Sequence, residues 1–119
     1  MSDNEPQPIA PDALPEVIVR YLAAHRTHNT PAAISAFTTD ATVIDDGTTY
    51  HGTAAIETWL TRSASEFTYT IELTAAQKTD QIHYIAKNHL EGNFPGGVAD
   101  LRYQFTLRDN LIEHLVIEP

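Results

Sequence analysis

Asp40-Ala41-Thr42-Val43-Ile44-Asp45-Asp46-Gly47-Thr48-Thr49-Tyr50-His51-Gly52 is the stretch on which the reading of the chain turns. Ala41 to Asp45 reads as a strand, with Val43 and Asp45 on one face and Ile44 on the other. Asp46-Gly47 is a strong signal for a tight hairpin turn. Thr48 to His51 returns as a half-strand. Gly52-Thr53 then opens a helix with Ile56, Trp59, Leu60 and Ser63 on one side.

Two helical segments precede this stretch. Leu14, Val17, Ile18, Tyr21, Leu22 and His25 follow i, i+3, i+4, i+7, i+8, i+11, one apolar stripe on a helix of about four turns. Asp12 is placed to cap it, and Pro15 is tolerated in the first turn. Thr30-Pro31 starts a second helix, with Thr30 as cap. Ile34 and Phe37 form its buried side, and Thr38-Thr39-Asp40 ends it. Residues 1–11 are acidic and proline-rich and read as a disordered lead, leaving residues 12–119 as one domain.

Four strand-like segments follow. Phe67 to Leu73 alternates apolar and polar residues. Ile82 to Leu90 is less regular, and Asn93-Phe94-Pro95-Gly96-Gly97 connects it onward. Val98 to Leu107 places Ala99, Leu101, Tyr103, Phe105 and Leu107 on one face, and Arg108-Asp109-Asn110 turns the chain into Leu111 to Ile117. Helices first and a meander of strands last argue for an α+β fold with the helices on one face of a curved sheet.

The totals set bounds. A chain of 119 residues with 42% apolar residues is enough for one domain and one core. With no cysteine it has neither a disulfide framework nor a thiolate zinc site. The formal charge of -9, from 16 acidic and 7 basic residues, argues against nucleic acid and anionic membrane as partners. No apolar run approaches a membrane span, and the first residues lack the pattern of a signal peptide, so a cytoplasmic protein is the expectation. His25 and His28 stand at the i, i+3 spacing that two metal ligands can use, but they lack a third partner, so solvated positions at a helix end are expected and no metal is.

The order of elements resembles the nuclear transport factor 2-like superfamily, which includes ketosteroid isomerases, SnoaL-like polyketide cyclases and limonene epoxide hydrolases. The residues that carry the resemblance are Phe37-x-x-Asp40-Ala41-Thr42-Val43, His51-Gly52 with Ile56 and Trp59-Leu60, and Leu111-Ile112-Glu113-His114. The resemblance implies an α+β fold: a cone-shaped, curved antiparallel sheet with three N-terminal helices enclosing a pocket. It further implies a homodimer, a small apolar ligand and no cofactor.

Within the superfamily, Arg20-Tyr21-Leu22 and Ala41-Thr42-Val43-Ile44-Asp45 resemble the segments of ketosteroid isomerases that carry an oxyanion-hole tyrosine and the general base. Val98-Ala99-Asp100-Leu101 resembles the segment with the second oxyanion-hole donor, a protonated aspartic acid. The implied catalytic set is therefore Asp45 as base with Tyr21 and Asp100 as donors, a combination suited to enolising a carbonyl compound. Each has a plainer reading. Asp45 precedes Asp-Gly and suits a turn, Tyr21 suits a core, and Asp100 shares a face with Arg102, a natural ion-pair partner.

The sequence also departs from that family. Phe37 and Leu60 stand where it has supporting tyrosines, and Asp46 replaces its proline after the base. The catalytic aspartate of the cyclases falls at Tyr103, and the last aspartate of the epoxide hydrolases has no counterpart in Leu115-Val116-Ile117. Phe37, Trp59, Phe67 and His114 are the expected pocket residues. Three functions follow: a cofactor-free isomerase or related proton-transfer enzyme on a small cyclic, steroid-like or polyketide-like carbonyl compound; another SnoaL-like cyclase or hydrolase; or a non-catalytic pocket protein.

Overall fold

A computed structural model of the chain describes residues 5–66 and 68–119. In chain order the elements are β1 (Gln7–Ile9), a short 3-10 turn (Pro11–Ala13), α1 (Glu16–Arg26), α2 (Thr30–Ile34), β2 (Phe37–Asp45) and β3 (Thr48–His51). Then come α3 (Thr53–Glu66), β4 (Tyr69–Lys78), β5 (His83–Gly92), β6 (Val98–Arg108) and β7 (Leu111–Glu118). The strands form one sheet in the order β1-β4-β5-β6-β7-β2-β3.

The fold is α+β, but the cone of antiparallel strands behind three leading helices is corrected on three counts. The sheet is mixed, because β7 runs parallel to β2. It stays open, with β1 and β3 as free edges, and does not close on itself. Only α1 and α2 precede β2, and α3 follows β3. The parallel pair has a physical reason. The hairpin to β3 occupies one edge of β2, and β7 takes the other. The register sets Val43 beside Leu115 on the inner face, where both side chains are fully buried.

The helices cover that inner face. Leu14, Val17, Ile18, Tyr21, Leu22 and His25 are all buried, as their spacing predicts. The α-helix begins at Glu16, not at Asp12, because Pro11 and Pro15 leave the first residues in a 3-10 turn. The second helix is capped by Asn29, whose side chain accepts from the Ala32 N–H at 3.2 Å. Along β6, Tyr103, Phe105 and Leu107 are buried while Asp100 and Arg102 are exposed, so the alternation read from the sequence sets the two faces. Part of the expected lead is a strand, since Gln7–Ile9 pairs with Ala76 to Lys78 of β4 at the sheet edge.

The turn at Asp46-Gly47 has positive φ at both residues, 51° and 79°, which matches the right-handed twist of the flanking strands. Asp109 and Asn110 do the same between β6 and β7, at 53° and 64°. Among the described residues no helix is long and apolar enough to cross a membrane.

At Gly92 the backbone approaches Tyr69 across the β4–β5 pair. A Cβ at that position would lie 2.5 Å from the Cβ of Tyr69 and 2.8 Å from its Cα. Gly92→Ala is therefore expected to lower stability by about 1–3 kcal/mol through overpacking. Urea denaturation checks this, and an unchanged midpoint would show that the strands need no such close approach.

Candidate functional site

A cavity of about 420 Å³ opens between the helices and the strand ends that face them. Its walls are mainly aromatic and aliphatic: Trp59 from α3, Tyr69 from β4, Leu90 from β5, Phe94 from the connection, Ala99, Leu101 and Tyr103 from β6, and Ile117 from β7. The polar groups on it include His25, Asp45, Asp46 and Glu66, and among the described residues no lysine or arginine lines it. An apolar hollow with a few polar groups is the usual form of a small-molecule site.

Asp45 is the last residue of β2 and follows Val43 on the inner face, so strand alternation aims it at the cavity. Its Oδ2 accepts the indole N–H of Trp59 at 2.9 Å. Among the described residues Oδ1 has no hydrogen-bond partner. Burial raises the carboxyl pKa above its ordinary value, the Trp59 hydrogen bond opposes this, and the charge of Asp46 adds to the rise. The group is thus a fixed, partly desolvated carboxylate with one oxygen free to exchange a proton.

His25 also lies on the wall of the hollow, in the last turn of α1. Its ring stacks nearly parallel to Tyr21, with centroids 5.7 Å apart, and to Trp59, 6.2 Å apart. Its Nε2 is 3.5 Å from the hydroxyl of Tyr69. Burial, helped by nearby His28, pushes its pKa down to about 4, so the imidazole is neutral at neutral pH. Tyr69 and Tyr103 also line the cavity. Burial raises both phenols, and Tyr69 feels the charge of Asp45 as its second influence.

The implied catalytic set is not brought together. Asp45 lies on the cavity, but Tyr21 does not line it. Tyr21 is fully buried, edge-on to Phe37 and Phe105, and among the described residues its hydroxyl has no hydrogen-bond partner. Asp100 is exposed on the outer face of the sheet. Its partner there is not Arg102 but His89, across the β5–β6 ladder, at 2.7 Å to Nδ1. Arg102 pairs with Glu118 at 3.0 Å.

Of the expected pocket residues Trp59 lines the cavity, while Phe37 is a buried core ring against Tyr21 and His114 lies away from the cavity, on the opposite face of β7 from Leu115 and Ile117. Phe67 lies outside the described residues. His25, Tyr69 and Tyr103 gain a place on the site that sequence reasoning did not give them. The available signal for His25 was its position four residues after Tyr21 on the buried stripe. Among the described residues no three His, Asp or Glu side chains group as a metal site.

The buried imidazole has a consequence for stability. With its folded pKa near 4 and an ordinary value of 6.5, the unfolded chain binds the proton first. His25 therefore costs no stability above pH 6.5, and folding stability falls as pH drops from 6.5 towards 4. The loss is on the order of 3 kcal/mol. Urea unfolding at stepped pH should show this slope, and His25→Phe should flatten it; equal slopes in both proteins would mean that the ring takes its proton without resistance.

No protein-family model matches this sequence, and neither does any curated protein. Solved structures do match. A protein of Sinorhizobium meliloti, described provisionally as a polyketide cyclase, is 28% identical, with a TM-score of 0.86 over 92% of this chain and 100% of that one. A protein of Catenulispora acidiphila with a ketosteroid isomerase-like fold, solved in complex with trimethylamine, is 20% identical, with a TM-score of 0.78 over 88% of this chain and 85% of that one. A delta 5-3-ketosteroid isomerase from Mycobacterium sp. is 15% identical, with a TM-score of 0.72 over 87% and 89% of the two chains. Isomerases, cyclases and binding proteins share this architecture, and the chain belongs to the nuclear transport factor 2-like fold superfamily, together with SnoaL-like and ketosteroid isomerase-like proteins.

Proposed function

We propose that the cavity is the site of a cofactor-free, SnoaL-like proton-transfer enzyme. It acts on a small, largely apolar cyclic carbonyl compound of the polyketide-like class, in the manner of a cyclase. The observation that carries this reading is Asp45: a carboxylate held by Trp59 at 2.9 Å, raised in pKa by burial, on the wall of an aromatic cavity of about 420 Å³. Such a group takes a proton from carbon beside a carbonyl more readily than a solvated aspartate does, because its pKa lies nearer neutrality. The likeness to the Sinorhizobium protein supports the substrate class. At the position where the cyclases carry their catalytic aspartate this chain has Tyr103, so the base is assigned to Asp45 and not to β6.

A steroid isomerase in the strict sense has less support. Its two donors would be Tyr21 and Asp100, and one is buried away from the cavity while the other is on the outer face. A cytoplasmic homodimer goes with the proposed reading. Its surface would be the outer face of the sheet, where Ile85, Gln104, Val116 and Ile44 lie side by side across four strands.

The test is deuterium exchange at the α-carbon of a cyclic ketone, followed by NMR, with β-tetralone as probe. The intact chain should accelerate exchange, and Asp45→Asn should lower the rate by about 100- to 10,000-fold, the usual range for a general base. The variant should still bind β-naphthol, which mimics the enol of that ketone. Binding without any exchange by the intact chain would leave a non-catalytic pocket protein.

A further inference from the structure

A base on one side of the cavity leaves the other half of enolisation unassigned. As a carbon proton leaves, negative charge develops on the carbonyl oxygen, and a hydrogen-bond donor placed there lowers the barrier. The residues expected to donate do not reach the cavity. The side chains that do are His25, Tyr69 and Tyr103.

His25 and Tyr69 have a geometry that ordinary core packing does not require. The imidazole packs nearly parallel to the Tyr21 and Trp59 rings, at interplanar angles of 13° and 12°. That packing restrains the plane in which its nitrogens point. Trp59 is also the residue that holds Asp45, so one indole positions both the carboxylate and the imidazole. Tyr69 is steadied by edge contacts to His28 and Phe94, with ring centroids 5.8 and 6.5 Å away, and its hydroxyl lies 3.5 Å from His25 Nε2. That contact is at the long end for a hydrogen bond.

We propose that Tyr69 is the electrophilic residue of the site and that His25 is its positioning residue. Neutral His25 donates its Nε2 hydrogen to the Tyr69 oxygen. Tyr69 is then left with its own hydrogen to present to the substrate oxygen. In the reaction Asp45 accepts the α-carbon proton, the C–H electron pair becomes the new C=C bond, and the carbonyl π pair moves onto oxygen, which the Tyr69 O–H holds. The proton on Asp45 returns to carbon to complete an exchange or isomerisation. A protonated imidazole would still donate to Tyr69, so His25 acts by direction and not by charge.

This assignment rests on the proton-transfer reading of Asp45, and the experiment separates the two. The probes are β-naphthol for binding and β-tetralone for exchange, with the full chain. Tyr69→Phe should weaken β-naphthol binding by about 10-fold or more, the effect of one hydrogen bond to a developing charge, and slow exchange by a similar factor. His25→Phe keeps a ring between Tyr21 and Trp59. It should lower kcat for exchange about 10-fold with KM for β-tetralone unchanged, and it should have no further effect in a Tyr69→Phe background. A purely structural His25 would cost the same in both backgrounds. If Asp45→Asn stops exchange but Tyr69→Phe alters neither readout, or Tyr103→Phe takes the loss instead, the donor assignment is overturned and the base stands. If exchange is indifferent to Asp45→Asn, or β-naphthol does not bind the intact chain, both readings fall.

Discussion

The hydrogen bond from the Trp59 indole to Asp45 joins the third helix to the end of β2, the strand next to the β3 edge. Much else follows from it. It holds a carboxylate at the edge of an apolar interior without a cation beside it, which only a neutral donor can do at modest desolvation cost. It fixes the indole face against His25, and through His25 the aromatic set that includes Tyr21, Tyr69 and Tyr103. The cavity is what remains between that set and the inner face of β6.

Charge is divided between the two sides of the sheet. The outer face carries paired ions, His89 with Asp100 and Glu91, and Arg102 with Glu118. These pairs are exposed and contribute little to stability. A third cluster clasps Arg108 to Asp40 and Glu113, with Asp40 held down to about 2 chiefly by its hydrogen bond to the guanidinium. Among the described residues no lysine or arginine comes to the cavity wall, so the donors that face the hollow are neutral ones.

Local patterns carried most of the fold. The α1 stripe, the two left-handed turns and the β6 alternation depend on residues close in sequence, and each was legible there. The parallel β2–β7 pair, the β1 edge and the partner of Asp100 were not, because they are choices between distant segments that local periodicity cannot rank. Asp45 was legible through its register two residues after Val43. His25 reads in the sequence both as the end of the buried stripe and as a solvated helix end, because no local signal shows that Trp59 and Tyr69 arrive later in the chain to cover it. Tyr21 and Asp100 show the reverse: the right residue types in a familiar sequence context, placed by packing and pleat away from the hollow.

The parallel contact between β2 and β7 also sets an order on assembly. As the chain emerges from the ribosome, α1, α2, β2, β3 and α3 form early, but the inner edge of β2 has no partner until β7 is made. Val43 waits for Leu115 across one of the longest sequence separations between paired strands. Closing such loops is slow, and until it happens two strand edges stand open to neighbours. The nascent protein therefore passes through a stage in which the strand that bears Asp45 is present but the cavity lacks the part of its wall that β7 supplies, and dependence on a holding chaperone would be concentrated in that interval.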